Sequence, residues 1–145
     1  MTTIAADHSM MVADSKVSDD EGWPSYSARK IVRFKNGVAG AAGESGNCMR
    51  FLAWALRNFE PPCPEFSKAD FKGLILTPEG LHIFERGFPC AEPLYKTSAF
   101  AIGSGEQAAR AAMLMGCSPI YAVRLACKLD DLSGLPLQIL RLRKR

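Results

Sequence analysis

Residues 2–16 read TTIAADHSMMVADSK, and this stretch decides the fold. Two short and largely apolar segments, Thr2–Ala6 and Met10–Lys16, lie on either side of the polar tripeptide Asp7-His8-Ser9. Partly alternating segments around a polar turn are typical of a β-hairpin. We therefore expect the chain to open with a hairpin whose first strand begins at residue 2.

The rest of the chain predicts strands in pairs and three helices. After a polar loop at Asp19–Ser27, strands are expected at Lys30–Phe34, Val38–Ala42, Gly73–Thr77, Leu81–Glu85, Ser98–Ile102 and Leu135–Leu142. Helices are expected from Ser45, as the capping residue, to about Asn58, at Glu106–Met115 and at Pro119–Leu129. Because strands and helices do not alternate one by one, antiparallel sheets covered by helices are the expected architecture.

The composition is that of an ordinary globular protein. The chain has 145 residues, of which 48% are hydrophobic, and this suits one domain spanning residues 1–145. The formal net charge is only +3. A nucleic-acid surface needs a basic stripe with interleaved aromatic side chains, so nucleic acid is not an expected partner. The charges spread over the chain except at its end, where four basic residues cluster, namely Arg141, Arg143, Lys144 and Arg145.

The cysteines and the hydropathy favour a soluble, cytoplasmic protein. Five cysteines, at positions 48, 63, 90, 117 and 127, are odd in number and form no C-x-x-C pair, so we expect reduced thiols. No segment approaches the roughly 20 apolar residues of a membrane span, and no leader pattern is present. With only His8 and His82 available, neither a metal site nor a histidine-based triad is expected, and no cofactor is implied.

Thr2 follows the initiator Met1 directly, and methionine aminopeptidases remove methionine before small residues. The mature chain is therefore expected to begin with a free threonine. A threonine hydroxyl is a poor nucleophile alone, but the α-amine of the same residue has a pKa of about 8 and can accept its proton. The alternative is that threonine at position 2, which is common, has no special role.

Several separated motifs give the threonine its context. In chain order they are TTIAAD, MVADSKVS, ARKIVRF, GVAGAAGESGNC, AFAIGSGEQAARAAM and LDDLSGLP. This series resembles the proteasome β-subunit and HslV peptidase family, over nearly the whole chain, and in particular the small proteasome homologues of β-proteobacteria. The resemblance implies an α+β fold: a four-layer αββα sandwich of two antiparallel sheets flanked by helices, the N-terminal-nucleophile hydrolase fold.

The resemblance also assigns roles to three residues near the start of the chain. It implies that Thr2 is the catalytic nucleophile and that Asp14 and Lys30 are its charged partners. An ammonium near the hydroxyl lowers the cost of forming an alkoxide, and a carboxylate can hold that ammonium in place. A surface ion pair, worth at most about 1 kcal/mol, is the alternative for Asp14 and Lys30.

Further matches concern the oxyanion, the amine and substrate specificity. Gly43 matches the family glycine whose backbone N–H forms the oxyanion hole. The alternative is that Gly43 only makes a strand-to-helix turn. Ser104, Asp130 and Ser133 match the residues that orient the threonine amine. Two further positions, Ala41 and Met49, fall near those that line the primary specificity pocket of the family. These two residues predict that the enzyme prefers substrates with an apolar residue before the scissile bond.

Two segments are shorter than is usual in that family. Eleven residues separate Thr2 from Asp14, fewer than the common pattern, although the spacing of sixteen between Asp14 and Lys30 is kept. The stretch between Phe59 and Lys72 contains three prolines and has no room for a second helix. The first helical layer should therefore be shortened. Because regulators dock on that layer in the family, partnership with an ATP-dependent unfoldase is in doubt.

The leading hypothesis is a threonine endopeptidase that cleaves peptides or unfolded proteins through an acyl ester on Thr2. The resemblance implies a homo-oligomeric double ring of 12 or 14 subunits, with 14 favoured. Two alternatives remain open from the sequence. One is a non-catalytic structural ring subunit, and the other is an N-terminal-nucleophile amidohydrolase that acts on small amides.

Overall fold

The computed structural model describes residues 2–85, 92–93 and 97–143. Met1, Cys90, Lys144 and Arg145 lie outside the described residues. The strands are β1 (Thr3–Asp7), β2 (Met10–Ala13), β3 (Val17–Ser18), β4 (Pro24–Ser25), β5 (Ile31–Phe34), β6 (Gly37–Gly43), β7 (Phe71–Thr77), β8 (Gly80–Glu85), β9 (Glu92–Pro93), β10 (Ala99–Gly103) and β11 (Gln138–Arg141). The helices are α1 (Ser45–Leu56), α2 (Glu106–Leu114) and α3 (Pro119–Leu129).

Two main sheets form the centre of the molecule. Sheet I has the strand order β10-β1-β2-β11, and sheet II has the order β5-β6-β7-β8-β9. Each neighbouring pair in both sheets is antiparallel. The predicted opening hairpin is confirmed, with Ala5 opposite Val12, but its first strand begins at Thr3 and not at residue 2. The described residues also form the expected architecture of antiparallel sheets covered by helices.

Alternation along the strands places one core between the two sheets. Ile4 and Ala6 in β1 face sheet II, where they join Met11 and residues such as Val38 and Leu74. The residue between them, Ala5, points to the other side of sheet I. Successive side chains in a strand point to opposite faces, so β1 is buried on both sides because both faces of its sheet are covered.

Small residues fill the contact between sheet I and the helices α2 and α3. The buried side chains there include Ala101 from the sheet and Ala109, Ala122 and Ala126 from the helices. Short side chains let helices lie close to a sheet. On the opposite side of the molecule, α1 covers sheet II with larger residues, among them Phe51, which is fully buried. The four layers are therefore α1, sheet II, sheet I, and the pair α2 and α3.

The structure differs from the sequence prediction at the start of α1 and in one loop. Ser45 does not cap α1 but is its first residue, and the cap is Glu44, whose carboxylate accepts hydrogen bonds from the backbone N–H groups of Gly46 and Asn47 at 2.8 and 2.7 Å. The predicted loop at residues 19–27 lies partly in a small hairpin of β3 and β4. Its two-residue strands are too short to show any periodicity in the sequence.

The shortened first helical layer is confirmed. Residues 57–70, between α1 and β7, contain no helix, and the ring of Phe66 packs on Phe71 with a centroid distance of 4.7 Å. None of the helices in the described residues has the length and hydropathy that a membrane span needs.

Candidate active site

Thr2 is fixed at the end of sheet I, one residue before β1. It is 9% exposed, and its carbonyl oxygen accepts a hydrogen bond of 2.7 Å from the backbone N–H of Ser104. Gly103, the last residue of β10, has a φ of +103°, and a Cβ atom there would overlap the carbonyl oxygen of Thr2. The glycine therefore allows β10 to approach the start of the chain this closely.

Asp14 and Lys30 form a buried ion pair close to Thr2. Lys30 Nζ lies 2.9 Å from Asp14 Oδ1, and the side chains are 5% and 0% exposed. Nζ also donates to the carbonyl oxygen of Lys16 at 2.6 Å. Burial lowers the pKa of Lys30 from 10.5, and the hydrogen bond and charge of Asp14 oppose this only in part. The sequence prediction that these two residues act together is consistent with this geometry.

The second carboxylate oxygen of Asp14 anchors the loops around the pair. Asp14 Oδ2 accepts from the backbone N–H groups of Lys16 and Gly134, at 3.1 and 2.9 Å. Asp14 Oδ1 accepts from the N–H of Thr3 at 2.9 Å, in addition to Lys30. Because the carboxylate is fully buried, these four donors replace the water that it would otherwise bind.

A second cluster, of hydroxyl groups and a carboxylate, contacts Thr2 and Thr3. Ser104 Oγ and Ser133 Oγ each donate to Asp130 Oδ2 at 2.6 Å. Ser133 Oγ is also 2.7 Å from Thr3 Oγ1, which must donate in that contact because the serine proton is already used. Ser104 Oγ lies 3.3 Å from the carbonyl oxygen of Thr2. The three residues Ser104, Asp130 and Ser133 are thus brought together as the resemblance implied.

The hydrogen bonds of this cluster favour the ionised form of Asp130. Burial alone would raise its pKa, but the hydrogen bonds from Ser104, Ser133 and the backbone N–H of Leu132 outweigh burial and lower the pKa below 3.8. Hydrogen bonds to the charged form of a carboxylate stabilise that form. A negative charge at this place can hold a nearby ammonium or amine through the two hydroxyl groups.

An open cleft of about 570 Å³ is lined by both Thr2 and Gly43. Gly43 ends β6 with a φ of +124°, and a Cβ there would lie 2.6 Å from the carbonyl oxygen of Asp70 and from the Cα of Phe71. Only glycine fits this position without strain. The other described residues that line the cleft are Ala42, Asp70, Phe71, Lys72, Glu85, Gly103, Ser104 and Glu106.

The two predicted specificity residues lie elsewhere. Ala41 is 3% exposed and packs in the core between sheet II and α1. Met49, on α1, is 71% exposed. Neither is among the described residues that line the cleft of Thr2. The structure therefore does not bring Ala41 and Met49 to this cleft, and the apolar preference stays a prediction.

Comparison with solved structures identifies the fold. HslV from the eukaryote Trypanosoma brucei superposes with a TM-score of 0.68 at 20% identity, covering 98% of this chain and 99% of that one. BPH from Thiobacillus denitrificans gives a TM-score of 0.66 both in complex with epoxomicin and alone, at 17% and 16% identity. These two comparisons cover 97% of this chain, and 97% and 96% of the BPH chains. The chain has the HslV fold.

The predicted N-terminal-nucleophile hydrolase fold is confirmed by this similarity. No protein-family model matches the sequence, and neither does any curated protein. The resemblance seen in the sequence motifs is therefore supported at the level of the fold, at identities of 16–20%.

Sequence reasoning missed two residues that complete the site of this HslV-like chain. Thr3 links both halves of the site, since its N–H donates to Asp14 and its hydroxyl to Ser133. Gly134 presents its N–H to the same carboxylate. Thr3 adjoins the predicted nucleophile, and Gly134 adjoins Ser133. Their nearness to predicted residues was the only signal available, because the two N–H groups carry no side-chain signature and the Thr3 hydroxyl meets its partner 130 positions away.

Other nucleophiles and metals are less suited to this site. Burial raises the pKa of Cys48 and of Cys127 to about 11 in each case, so both thiols are protonated near neutral pH. A protonated thiol is a weak nucleophile and a poor metal ligand. Within residues 2–85 and 97–143, no group of three His, Cys, Asp or Glu side chains could hold a metal ion.

Proposed function

We propose that this chain is a threonine-type endopeptidase that hydrolyses peptide bonds through an acyl ester on Thr2. The observation that carries the proposal is the convergence of two polar groups on the start of the chain. The buried Lys30–Asp14 pair is tied to the neighbouring Thr3, and the Asp130 cluster contacts the Thr2 carbonyl through Ser104. The open cleft of Thr2 and Gly43 leaves room for a substrate.

The proposed first step is attack of Thr2 Oγ1 on the scissile carbonyl carbon. This requires that Met1 has been removed, because a peptide-bonded nitrogen is not a base. The free α-amine, with an ordinary pKa of about 8, takes the hydroxyl proton. The buried ammonium of Lys30 lowers the energy of the developing alkoxide, and Asp14 keeps Lys30 charged and in place.

The tetrahedral intermediate places negative charge on the former carbonyl oxygen. The Gly43 N–H is the proposed donor to that oxygen, and a preorganised donor of this kind is worth about 3–4 kcal/mol. Collapse of the intermediate breaks the C–N bond, and the protonated α-amine gives its proton to the leaving amine. The product is an ester between the acyl group and Thr2.

Water then cleaves the ester. The α-amine takes a proton from the attacking water, and the Thr2 hydroxyl leaves with that proton, so the enzyme is restored. Ser104, Ser133 and the ionised Asp130 are proposed to orient the amine in both half-reactions. No cofactor or metal takes part in the proposed cycle.

We also propose assembly into a double ring that encloses the catalytic threonines. The fold shared with HslV supports this, and rings of 12 or 14 subunits are the candidates, with 14 favoured. Substrates would be peptides or unfolded proteins that can enter such a chamber. An ATP-dependent unfoldase is not part of the proposal, because α1 stands without the second helix of its layer.

Peptide cleavage by the wild type and by Thr2→Ala tests the proposed activity. Both chains must begin at residue 2, verified by intact mass. We expect cleavage of a set of fluorogenic peptides by the wild type and a loss of at least about 1,000-fold in Thr2→Ala, as for removal of other catalytic nucleophiles. Equal turnover by the two chains would remove Thr2 from the mechanism.

The same assay separates the alternatives. Hydrolysis of small amides without peptide cleavage would favour the amidohydrolase. Turnover of neither substrate class by a chain with a free Thr2 amine would favour the structural ring subunit.

A further inference from the structure

Gln138 lies beside the buried ion pair and hydrogen-bonds to the backbone of both Asp14 and Lys30. It is the first residue of β11, opposite Ala13 of β2 in sheet I. Ala13 directly precedes Asp14, so this register brings the Gln138 side chain to the point where the chain leaves β2. The side chain is half-buried.

The amide of Gln138 bridges two separate segments of the chain. Its Oε1 accepts the backbone N–H of Lys30 at 3.0 Å. Its Nε2 donates to the carbonyl oxygen of Ala28 at 2.6 Å, to Ser15 Oγ at 3.0 Å and to the carbonyl oxygen of Asp14 at 3.2 Å. One side chain thus joins the backbone at residues 14–15 to the backbone at residues 28–30.

The orientation of the amide follows from its partners. The N–H of Lys30 can only donate, and the carbonyl oxygens of Ala28 and Asp14 can only accept. A carboxylate at position 138 would place an acceptor against those two carbonyl oxygens. It would also add a negative charge near Asp14. A glutamine amide, with one acceptor and two donor hydrogens, can therefore hydrogen-bond to the backbone of both segments at once.

We propose that Gln138 is a positioning residue that holds Lys30 and Asp14 in register for catalysis. The inference rests on the proposed function. Asp14 and Lys30 are connected along the chain through residues 15–29, which contain the small hairpin of β3 and β4. A displacement of about 1 Å between catalytic groups can lower a rate about 100-fold, so a direct bridge between their backbones matters for turnover.

Two variants test the role, and a third is the control. Gln138→Met keeps nearly the length of the side chain and removes the amide, and Gln138→Glu keeps the shape and removes the donor. Leu140→Ala is the control, because Leu140 lies on the same strand and packs against the core between the sheets. The measurements are kcat, KM, the pH profile of kcat and the melting temperature, with a peptide that the wild type cleaves.

We expect kcat to fall about 10–100-fold in Gln138→Met and in Gln138→Glu, with KM within about twofold of the wild type. The pH profile of kcat should change in both, since the surroundings of Lys30 change. Leu140→Ala should lower the melting temperature and leave kcat and the pH profile as they are. Gln138→Asn, which keeps an amide one methylene too short to bridge, replaces Gln138→Met if that variant does not fold.

Wild-type kcat and an unchanged pH profile in folded Gln138 variants would overturn the inference while the proposed function stands. A fall in kcat that Leu140→Ala matches at equal loss of melting temperature would also overturn it, since general destabilisation would then explain the result. If the wild type with a free Thr2 amine cleaves no peptide, the proposed function fails first and this inference fails with it.

Discussion

The carboxylate of Asp14 shows how much one residue contributes to the candidate site. It is fully buried, and its two oxygens accept hydrogen bonds from Lys30 and from the N–H groups of Thr3, Lys16 and Gly134. Asp14 therefore connects the start of β1, the loop after β2, Lys30 before β5 and the loop before β11. The position of Thr2, one residue from Thr3, depends on this connection.

Asp14→Asn should destabilise the protein strongly. An amide has one acceptor oxygen, so in either orientation its NH₂ group faces backbone donors, and Lys30 stays buried without a charged partner. Breaking a buried ion pair on one side costs about 3–5 kcal/mol. Urea unfolding of both chains measures the change in the free energy of unfolding.

Lys72→Ala is the control for that experiment. Lys72 pairs with Glu85 at 3.5 Å, and these side chains are 45% and 39% exposed. Exposed pairs contribute about 0–1 kcal/mol, so Lys72→Ala should change stability by no more than that. An Asp14→Asn chain as stable as Lys72→Ala would contradict the role given to the carboxylate.

At the residue scale, the sequence pointed to charged and hydroxyl residues within the motifs and missed Thr3, Gly134 and Gln138. Asp14, Lys30, Ser104, Asp130 and Ser133 could be named because they lie in the motifs that resemble the proteasome β-subunit and HslV family. Gln138 could not, because its partners are mainly backbone groups of segments more than 100 positions away. Such contacts leave no pattern in a single sequence.

At the scale of elements, the segment that replaces the second outer helix is held by α1. Asn47, fully buried in α1, donates to Ser67 Oγ and to the carbonyl oxygen of Ala69 at 3.0 and 2.9 Å. Its Oδ1 accepts the N–H of Ser67 at 2.9 Å. Trp54 Nε1 donates to the carbonyl oxygen of Glu60 at 2.9 Å. Side chains of one helix thus satisfy the backbone of an irregular segment.

Asn47→Leu should loosen this segment while the sheets persist. The change leaves the Ser67 N–H and the Ala69 carbonyl oxygen without their partner, which costs about 1–3 kcal/mol. Limited proteolysis should then cut within residues 60–70 faster than in the wild type. Met49→Ala, at an exposed position of the same helix, is the control and should be cut at the wild-type rate. Equal rates in all three chains would show that Asn47 does not hold the segment.

Element boundaries could be predicted where a local sequence pattern ends. They could not be predicted where a tertiary contact sets the boundary. The end of α3 was predicted at Leu129 and lies there. The last strand was predicted from Leu135 but begins at Gln138, where pairing with Ala13 of β2 starts. Apolar alternation continues through Leu135–Leu137, so the sequence cannot show that the strand pairing begins three residues later.

At the scale of the whole molecule, the sandwich brings together residues that are far apart in sequence. Thr2 and Gly43 come from sheets I and II, and they meet in one cleft because the two sheets pack face to face. The predicted architecture followed from the order of elements, whereas the position of the cleft depends on how the two sheets pack against each other. The fold persists at 16–20% identity to HslV and BPH.

The most direct test of the central claim is the intact mass of the chain after reaction with a threonine-reactive epoxyketone. The chain must begin at Thr2, and Thr2→Ala is the control. We expect the wild type to gain the mass of one inhibitor per chain, with the adduct on the peptide that begins at residue 2. We expect no gain in Thr2→Ala. A wild-type chain with a proven free Thr2 amine that stays unmodified, or carries the adduct elsewhere, would contradict the assignment of Thr2 as the nucleophile.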